Sequence, residues 1–270
     1  MPSLSHFLIT MSTVFITAAL NFFLGAALGV AGGLLGIGGG LIAIPVLGYL
    51  YGFDQHLAQG TALVMIAPNV LVGFYRYHQR HRIDLRSVLS ISVFSMVTTY
   101  FAAKFATRIS ASALHIAFAV FLILLALYFG ASRTSGTTDT HTPDHNTSAR
   151  KMPRIALPLL GMISGAMSGI FTVGGGLVVV PALVSYFRME QTRAQGMALA
   201  LVGPGALIAL FAYGQEGQVS WSIGLPMALG GILTVSWGVM LAHRFSPLLL
   251  RRLFCVVLLG TAAAMLLSAR

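Results

Sequence analysis

The sequence predicts an all-α polytopic membrane protein made of two inverted repeats, each a glycine-broken helical hairpin followed by three transmembrane helices. Three observations carry that expectation: the composition, a match of the chain to itself, and the placement of its basic residues. Of 270 residues, 57 % are hydrophobic and only 8 % charged, with a mean hydropathy of +0.87. Soluble chains carry roughly 25 % charged residues, so these side chains cannot solvate a water-facing surface, and a water-soluble enzyme is excluded. The solvent is lipid.

The second observation is internal. Shifted by 136 positions, GLLGIGGGLIAIPVL (33–47) falls on GIFTVGGGLVVVPAL (169–183) without a gap. Gly38, Gly39 and Gly40 fall on Gly174, Gly175 and Gly176, Pro45 on Pro181, Ala58-Gln59-Gly60 on Ala194-Gln195-Gly196, Pro68 on Pro204 and Tyr77 on Tyr213. Weaker matches continue to the end, so the repeating unit is half the chain. The halves are residues 1–131 and 154–270. The stretch between them, 132–153, is rich in Thr, Ser, His and Asp and reads as a polar cytoplasmic linker; its His141 and His145 do not amount to a metal site.

Crossing about 30 Å of hydrocarbon takes about 20 apolar residues at 1.5 Å per residue. On that measure the first half holds helices at 10–36, 40–52, 56–76, 87–106 and 111–131, and the second at 155–173, 176–187, 193–213, 219–242 and 247–268. The stretch after each glycine triplet is too short to span comfortably. The N-terminal segment lacks a basic leader and an Ala-x-Ala site, so it is expected to remain in the mature chain.

The third observation fixes orientation. If each triplet closes a hairpin that enters and leaves on one face, all of the 16 Lys and Arg residues except Lys104, Arg108 and Arg270 fall on one side of the membrane. Basic residues collect on the cytoplasmic side of short loops. A hairpin plus three crossings is an odd number, which inverts the second half and leaves both termini periplasmic.

Gly25, Gly29 and Gly33, and likewise Gly161, Gly165 and Gly169, recur every fourth residue and form seams for close helix packing. The triplets differ in kind. Each glycine costs on the order of 1 kcal/mol in helix propensity, and three together free the backbone to unwind where lipid would forbid it. The arm starting at Gly40 or Gly176 then aims its unpaired N–H groups inward, each helix start worth roughly half a positive charge. Two such ends brought together suit a small anion, held loosely enough to be released.

The remaining polar groups of the apolar helices complete the expected substrate site. Gln59 and Gln195 are buried amides that either donate to the anion or cap the broken backbone. Thr61 follows Gln59 by two residues. Asn69, beside Pro68, has Gly205 as its counterpart, and Thr172 stands where the first half has Gly36, so the halves are not interchangeable. Pro45, Pro181, Pro68 and Pro204 are expected helix kinks.

Several chemistries are excluded or disfavoured. The basic residues form no aromatic-interleaved stripe for nucleic acid. All six acids (Asp54, Asp84, Asp139, Asp144, Glu190, Glu216) fall in loops or at helix ends, which leaves no intramembrane carboxylate relay. No Gly-x-Gly-x-x-Gly, Walker or zincin motif is present, and Ser168 lacks a His partner on a matching helix. The lone Cys255 can form no internal disulfide. No cofactor or metal is expected; the partners are a small anion and the bilayer.

The twin stretches GGLLGIGGGLIAIPVL and SGIFTVGGGLVVVPALV, each followed about a dozen residues later by Ala-Gln-Gly, resemble the sulfite exporter TauE/SafE family of bacterial membrane permeases, over essentially the whole chain. The resemblance implies a duplicated inner-membrane carrier for small sulfur-containing anions such as sulfite, thiosulfate or organosulfonates, usually exporting. It implies functional positions at Gly38 to Gly40 with Pro45, Gly174 to Gly176 with Pro181, and the two Ala-Gln-Gly triplets. An anion channel and a membrane scaffold or partner subunit are the alternatives to a carrier.

Overall fold

The computed structural model describes residues 4–36, 38–81, 85–131, 156–173, 175–176, 179–180, 182–183 and 191–268. Among these residues the chain is all-helical, in nine helices: α1 Leu4–Leu35, α2 Gly40–Tyr51, α3 Gln55–His81, α4 Leu85–Ala106, α5 Ala111–Ala131, α6 Ala156–Phe171, α7 Gln191–Gln215, α8 Trp221–Ala242 and α9 Pro247–Ser268. Between α6 and α7, Gly176, residues 179–180 and residues 182–183 are helical. The expected linker, Gly174 and Pro181 lie outside the described residues.

Among the described residues six helices are long and apolar enough to cross a bilayer: Met11–Leu35, Gln55–Gln79, Ala111–Tyr128, Ala194–Gln215, Trp221–Ala242 and Leu248–Leu267. The chain is a polytopic membrane protein. Its surface pattern is that of a protein dissolved in lipid: Phe15, Phe23, Phe101, Trp237 and Leu267 face outward, while Asn21, Gln59, Thr61, Asn69, Thr99, Ser164, Ser168 and Gln195 are buried. Helix α4, expected to cross, is as long as α8 but is not among the six; its Ser92, Ser95 and Thr99 face inward.

Where the residues are described the expected boundaries hold to within a few residues, except that α1 starts at Leu4 rather than at 10 and α3 runs on; the expected end of the 176–187 helix lies outside the described residues. Helix α3 continues past 76 to His81, which carries the fully buried Tyr77 on the helix rather than in a loop. The first break opens at Gly36 and closes at Gly39, and α2 starts at Gly40 as expected.

That break reverses the chain. Helix α2 runs back beside α1 far enough for the Tyr51 hydroxyl, at its last residue, to donate to Asn21 Oδ1. The helices then pack in exchange-related pairs. Helix α1 packs most extensively on α8, and its repeat counterpart α6 packs on α4; α3 packs on α7, and α5 on α9.

Glycine makes the tightest of these contacts possible. A Cβ on Gly29 would sit 2.6 Å from the Cα of Gly231, and those on Gly25 and Gly33 would collide with the α8 backbone at Met227 and Val235. Gly230 and Gly238 of α8 meet the α1 backbone at Phe22 and Val30, so the seam is glycine on both sides. In the second half Gly169 lies against Thr99 and Gly165 against Ser95, both of α4. The small-residue stripes are packing seams.

Substituting Gly29 by Leu forces α1 and α8 apart and should cost at least the 1–3 kcal/mol or so of an overpacked core. Gly260→Ala is the control, because nothing lies within 4 Å of its added Cβ. Thermal unfolding in detergent should show a marked loss for the first variant and little change for the second.

Candidate functional site: two helix breaks and two glutamines

Both breaks depend on backbone conformations that L side chains avoid. Gly36, Gly38 and Gly39 have φ of 70°, 73° and 89°. In the second half Thr172, the counterpart of Gly36, adopts φ 54° despite its β-branched side chain and is the one such non-glycine residue among those described. Its N–H still bonds the Ser168 carbonyl at 2.9 Å, and its hydroxyl donates to Phe171 O at 2.7 Å.

After the first break α2 starts without a side-chain cap; its earliest helical bonds are Ile42 and Ala43 N–H to Gly39 O at 3.3 and 3.1 Å. The N–H groups ahead of them have no partner within the helix. In the second half the corresponding turn is closed by Val179 N–H to Gly175 O at 2.8 Å.

The two breaks meet inside the protein. A Cβ on Gly176 would lie 3.7 Å from the Gly36 carbonyl oxygen, and one on Gly40 would lie 3.7 Å from Val173 Cα. Ile66 and Val70, from the middle of α3, cover the first break. Each unwound turn is thus enclosed by protein, as an unwound turn in a membrane must be.

The repeated glutamines flank this meeting point in a swapped arrangement. Tyr77 donates to Gln195 Oε1 at 3.0 Å, and Tyr213, its repeat counterpart, donates to Gln59 Oε1 at 2.7 Å. The two halves therefore hold each other's amides. Their free ends differ: Gln195 Nε2 donates to Leu35 O at 3.4 Å, capping the last turn before the first break, whereas Gln59 Nε2 is buried without a partner. Of the two roles open to these residues, Gln195 takes the backbone cap and Gln59 keeps a free donor.

Other expected site residues divide. Asn69 is fully buried against Gly231 of α8, with both amide atoms unpartnered. Thr61 points elsewhere: its hydroxyl oxygen accepts the Ser220 N–H at 3.0 Å and ties down the α7–α8 connection. Pro45, Pro68 and Pro204 lie inside α2, α3 and α7, which continue through them. The tyrosines had a signal in the sequence, since they are identical in the repeat, but at a helix end they resemble interfacial residues. A row of hydroxyls (Ser95, Thr99, Ser164, Ser168) was legible only as ordinary polar residues at helical spacing.

No Lys, Arg, Asp or Glu is buried among the described residues, and none of their His, Cys, Asp or Glu side chains gather into a metal site. Asp54 caps α3 through the Leu57 N–H. Glu216 pairs with Lys104 beyond the end of α7; that hydrogen bond and the charge behind it hold its carboxyl below the ordinary range, and the pair is peripheral to the breaks. Among the described residues the buried polar side chains are Asn, Gln, Ser, Thr and His56, beside the backbone.

Discontinuous helices meeting in a neutral polar interior define the class: a multi-pass membrane protein with the framework of a transporter. The chain belongs to the sulfite exporter TauE/SafE family, a membrane transporter family whose model matches residues 21–265. It is 28 % identical over 223 residues to a "probable membrane transporter protein" of Xylella fastidiosa (strain 9a5c), covering 82 % of this chain and 84 % of that one. It is 28 % identical over 228 residues to one of Methanocaldococcus jannaschii (79 % and 82 %), and 25 % identical over 247 residues to one of a Sinorhizobium species (82 % and 90 %). No solved structure matches the chain significantly.

The unequal chemistry of Gly36 and Thr172 gives a paired test. Gly36→Ala adds a strained φ and a Cβ 2.9 Å from Gln195 Cγ, and should destabilise by about 1–2 kcal/mol or more. Thr172→Gly relieves strain at the matching position and should be neutral or stabilising. Melting temperatures of the two purified variants check the pair.

Proposed function

We propose that the chain is a secondary transporter that carries a small sulfur-containing anion, such as sulfite, thiosulfate or an organosulfonate, across the bacterial inner membrane, in the export direction. The observation that carries this reading is the meeting of the two helix breaks, with Gly36 O and Gly176 in near contact, together with a buried, unpartnered Gln59 Nε2 whose Oε1 is held by the Tyr213 hydroxyl that also approaches Gly169 O. Unpaired donors in a water-poor interior are costly unless a ligand or water completes them. An anion does so.

The two halves run in opposite directions through the membrane, with both termini periplasmic and the 132–153 linker cytoplasmic. The exchange-related packing and the swapped Tyr–Gln bonds support that symmetry, and the basic residues support its direction. Because the breaks belong to different halves, rocking one half against the other opens the shared pocket first to one face and then to the other. The anion sits against Gly38 to Gly40, Gly174 to Gly176, Thr172, Gln59, Gln195 and Asn69.

Gln59→Ala removes the free donor while leaving Tyr213 near a second acceptor, Gly169 O, at 3.5 Å. Its efflux from proteoliposomes should fall about ten-fold or more, the worth of a hydrogen bond to a charged ligand, at unchanged yield of monodisperse protein. Wild-type flux in this variant contradicts the placement of Gln59 in the site. Gln195→Ala should lose both flux and stability, because it also uncaps Leu35 O.

A further inference from the structure

The symmetry of the site is broken in one respect that bears on its ligand. Around Gly205 of α7, a Cβ would find Thr99 Oγ1 at 3.2 Å, Ser168 Oγ at 3.6 Å and Ser95 Oγ at 3.8 Å. Ser164, one turn before Ser168 on α6, lies against Gly175, where a Cβ would come within 2.5 Å of the serine Cβ. All four hydroxyl side chains are essentially inaccessible. Thr99 spends its hydrogen on the Gly165 carbonyl at 3.0 Å, while Ser164 and Ser168 Oγ have no partner.

At the repeat-equivalent positions the mirror site, formed by α1 of the first half and α8 of the second, has Leu28 for Ser164, Gly32 for Ser168, Gly231 for Ser95 and Val235 for Thr99. It carries no hydroxyl there, and Asn69, in place of Gly205, fills the space over Gly231. Hydroxyls gather beside the second break, whereas the first has the hydrocarbon of Ile66 and Val70 and the amide of Gln195 against it.

Resting on the transport reading above, we infer that the oxyanion is held off the symmetry axis, in the hydroxyl niche of Ser164 and Ser168 beside Gly205, and that the species accepted there carries a single negative charge. The first part follows from two orphaned, fully buried hydroxyls beside the second break, against a single orphaned amide, Asn69, at the position that mirrors Gly205; a buried hydroxyl without a partner is a standing cost that a ligand oxygen removes. The second part follows from charge. The penalty for taking an ion out of water grows with the square of its charge, while what neutral donors return grows only in proportion to it. With no buried Lys or Arg among the described residues, hydroxyls, an amide and partial backbone charges must suffice. Those groups match a monoanion and fall short for a dianion.

The test uses two fixed-charge probes of similar size, methanesulfonate and sulfate, on the full-length protein in proteoliposomes and by thermal shift at one pH. Methanesulfonate should bind at least about ten-fold more tightly than sulfate. In Ser168→Ala its affinity should drop about five- to ten-fold, the range for a hydrogen bond to an anion. The ligand-free melting temperature of that variant should stay level or rise, because an orphaned polar group has been removed. A purely structural serine would show the reverse.

Equal or tighter sulfate binding in the wild type overturns the charge assignment and needs no variant to be read. Unchanged methanesulfonate affinity in Ser168→Ala overturns the niche. Silence toward both probes and toward sulfite and thiosulfate overturns the anion site itself, and this inference with it.

Discussion

A backbone N–H or C=O cannot be left open in hydrocarbon, and the architecture of this protein follows from where it breaks that rule. Three glycines, Gly36, Gly38 and Gly39, stop α1 and turn the chain back. The matching stretch from Thr172 stops α6. Neither interruption is tolerable against lipid, so each must be covered by protein, and the covering is mutual: the first break lies under α3 and against the start of the second. The rest of the fold brings the two to one place.

Glycine supplies the means as well as the fault. The seam of Gly25, Gly29 and Gly33 against Gly230, Gly231 and Gly238 lets α1 and α8 approach at backbone contact, and Gly165 and Gly169 do the same for α6 against α4. Without that approach the hairpins would sit too far from the α3–α7 pair to reach the glutamines. The crossed bonds from Tyr77 to Gln195 and from Tyr213 to Gln59 then fix each half's central helix to the other's amide. The contacts that hold the halves together are the ones the proposed transport reading assigns to the ligand, so on that reading stability and binding draw on common residues.

Much of this was legible in the sequence because the signals were strong and local. Three consecutive glycines inside an apolar run have few structural uses, and the first triplet marked the break that ends α1 and starts α2. The helices followed from length alone, apart from α3, whose polar end hid a continuing helix and the buried face of Tyr77. Gly36 and Thr172 were seen to correspond, but nothing in a Phe-Thr-Val stretch announces a left-handed residue; surrounding structure imposes it. Thr61 looked like a site residue because it neighbours Gln59, yet two residues along a helix point to different faces, and it serves a loop instead. The hydroxyl niche was invisible because it is assembled from α4, α6 and α7, a convergence that spacing within one helix cannot reveal.

The central claim is that the two breaks touch. Gly40→Cys and Val173→Cys, in a Cys255→Ser background with a protease site placed in the 132–153 linker, test it most directly. A Cβ at position 40 lies 3.7 Å from Val173 Cα, within the reach of a disulfide once the flexible end of Ile66 gives way. After oxidation in membranes and cleavage of the linker, the two halves should migrate as one species on a denaturing gel and separate on reduction. Halves that separate whether or not they have been oxidised would contradict the account.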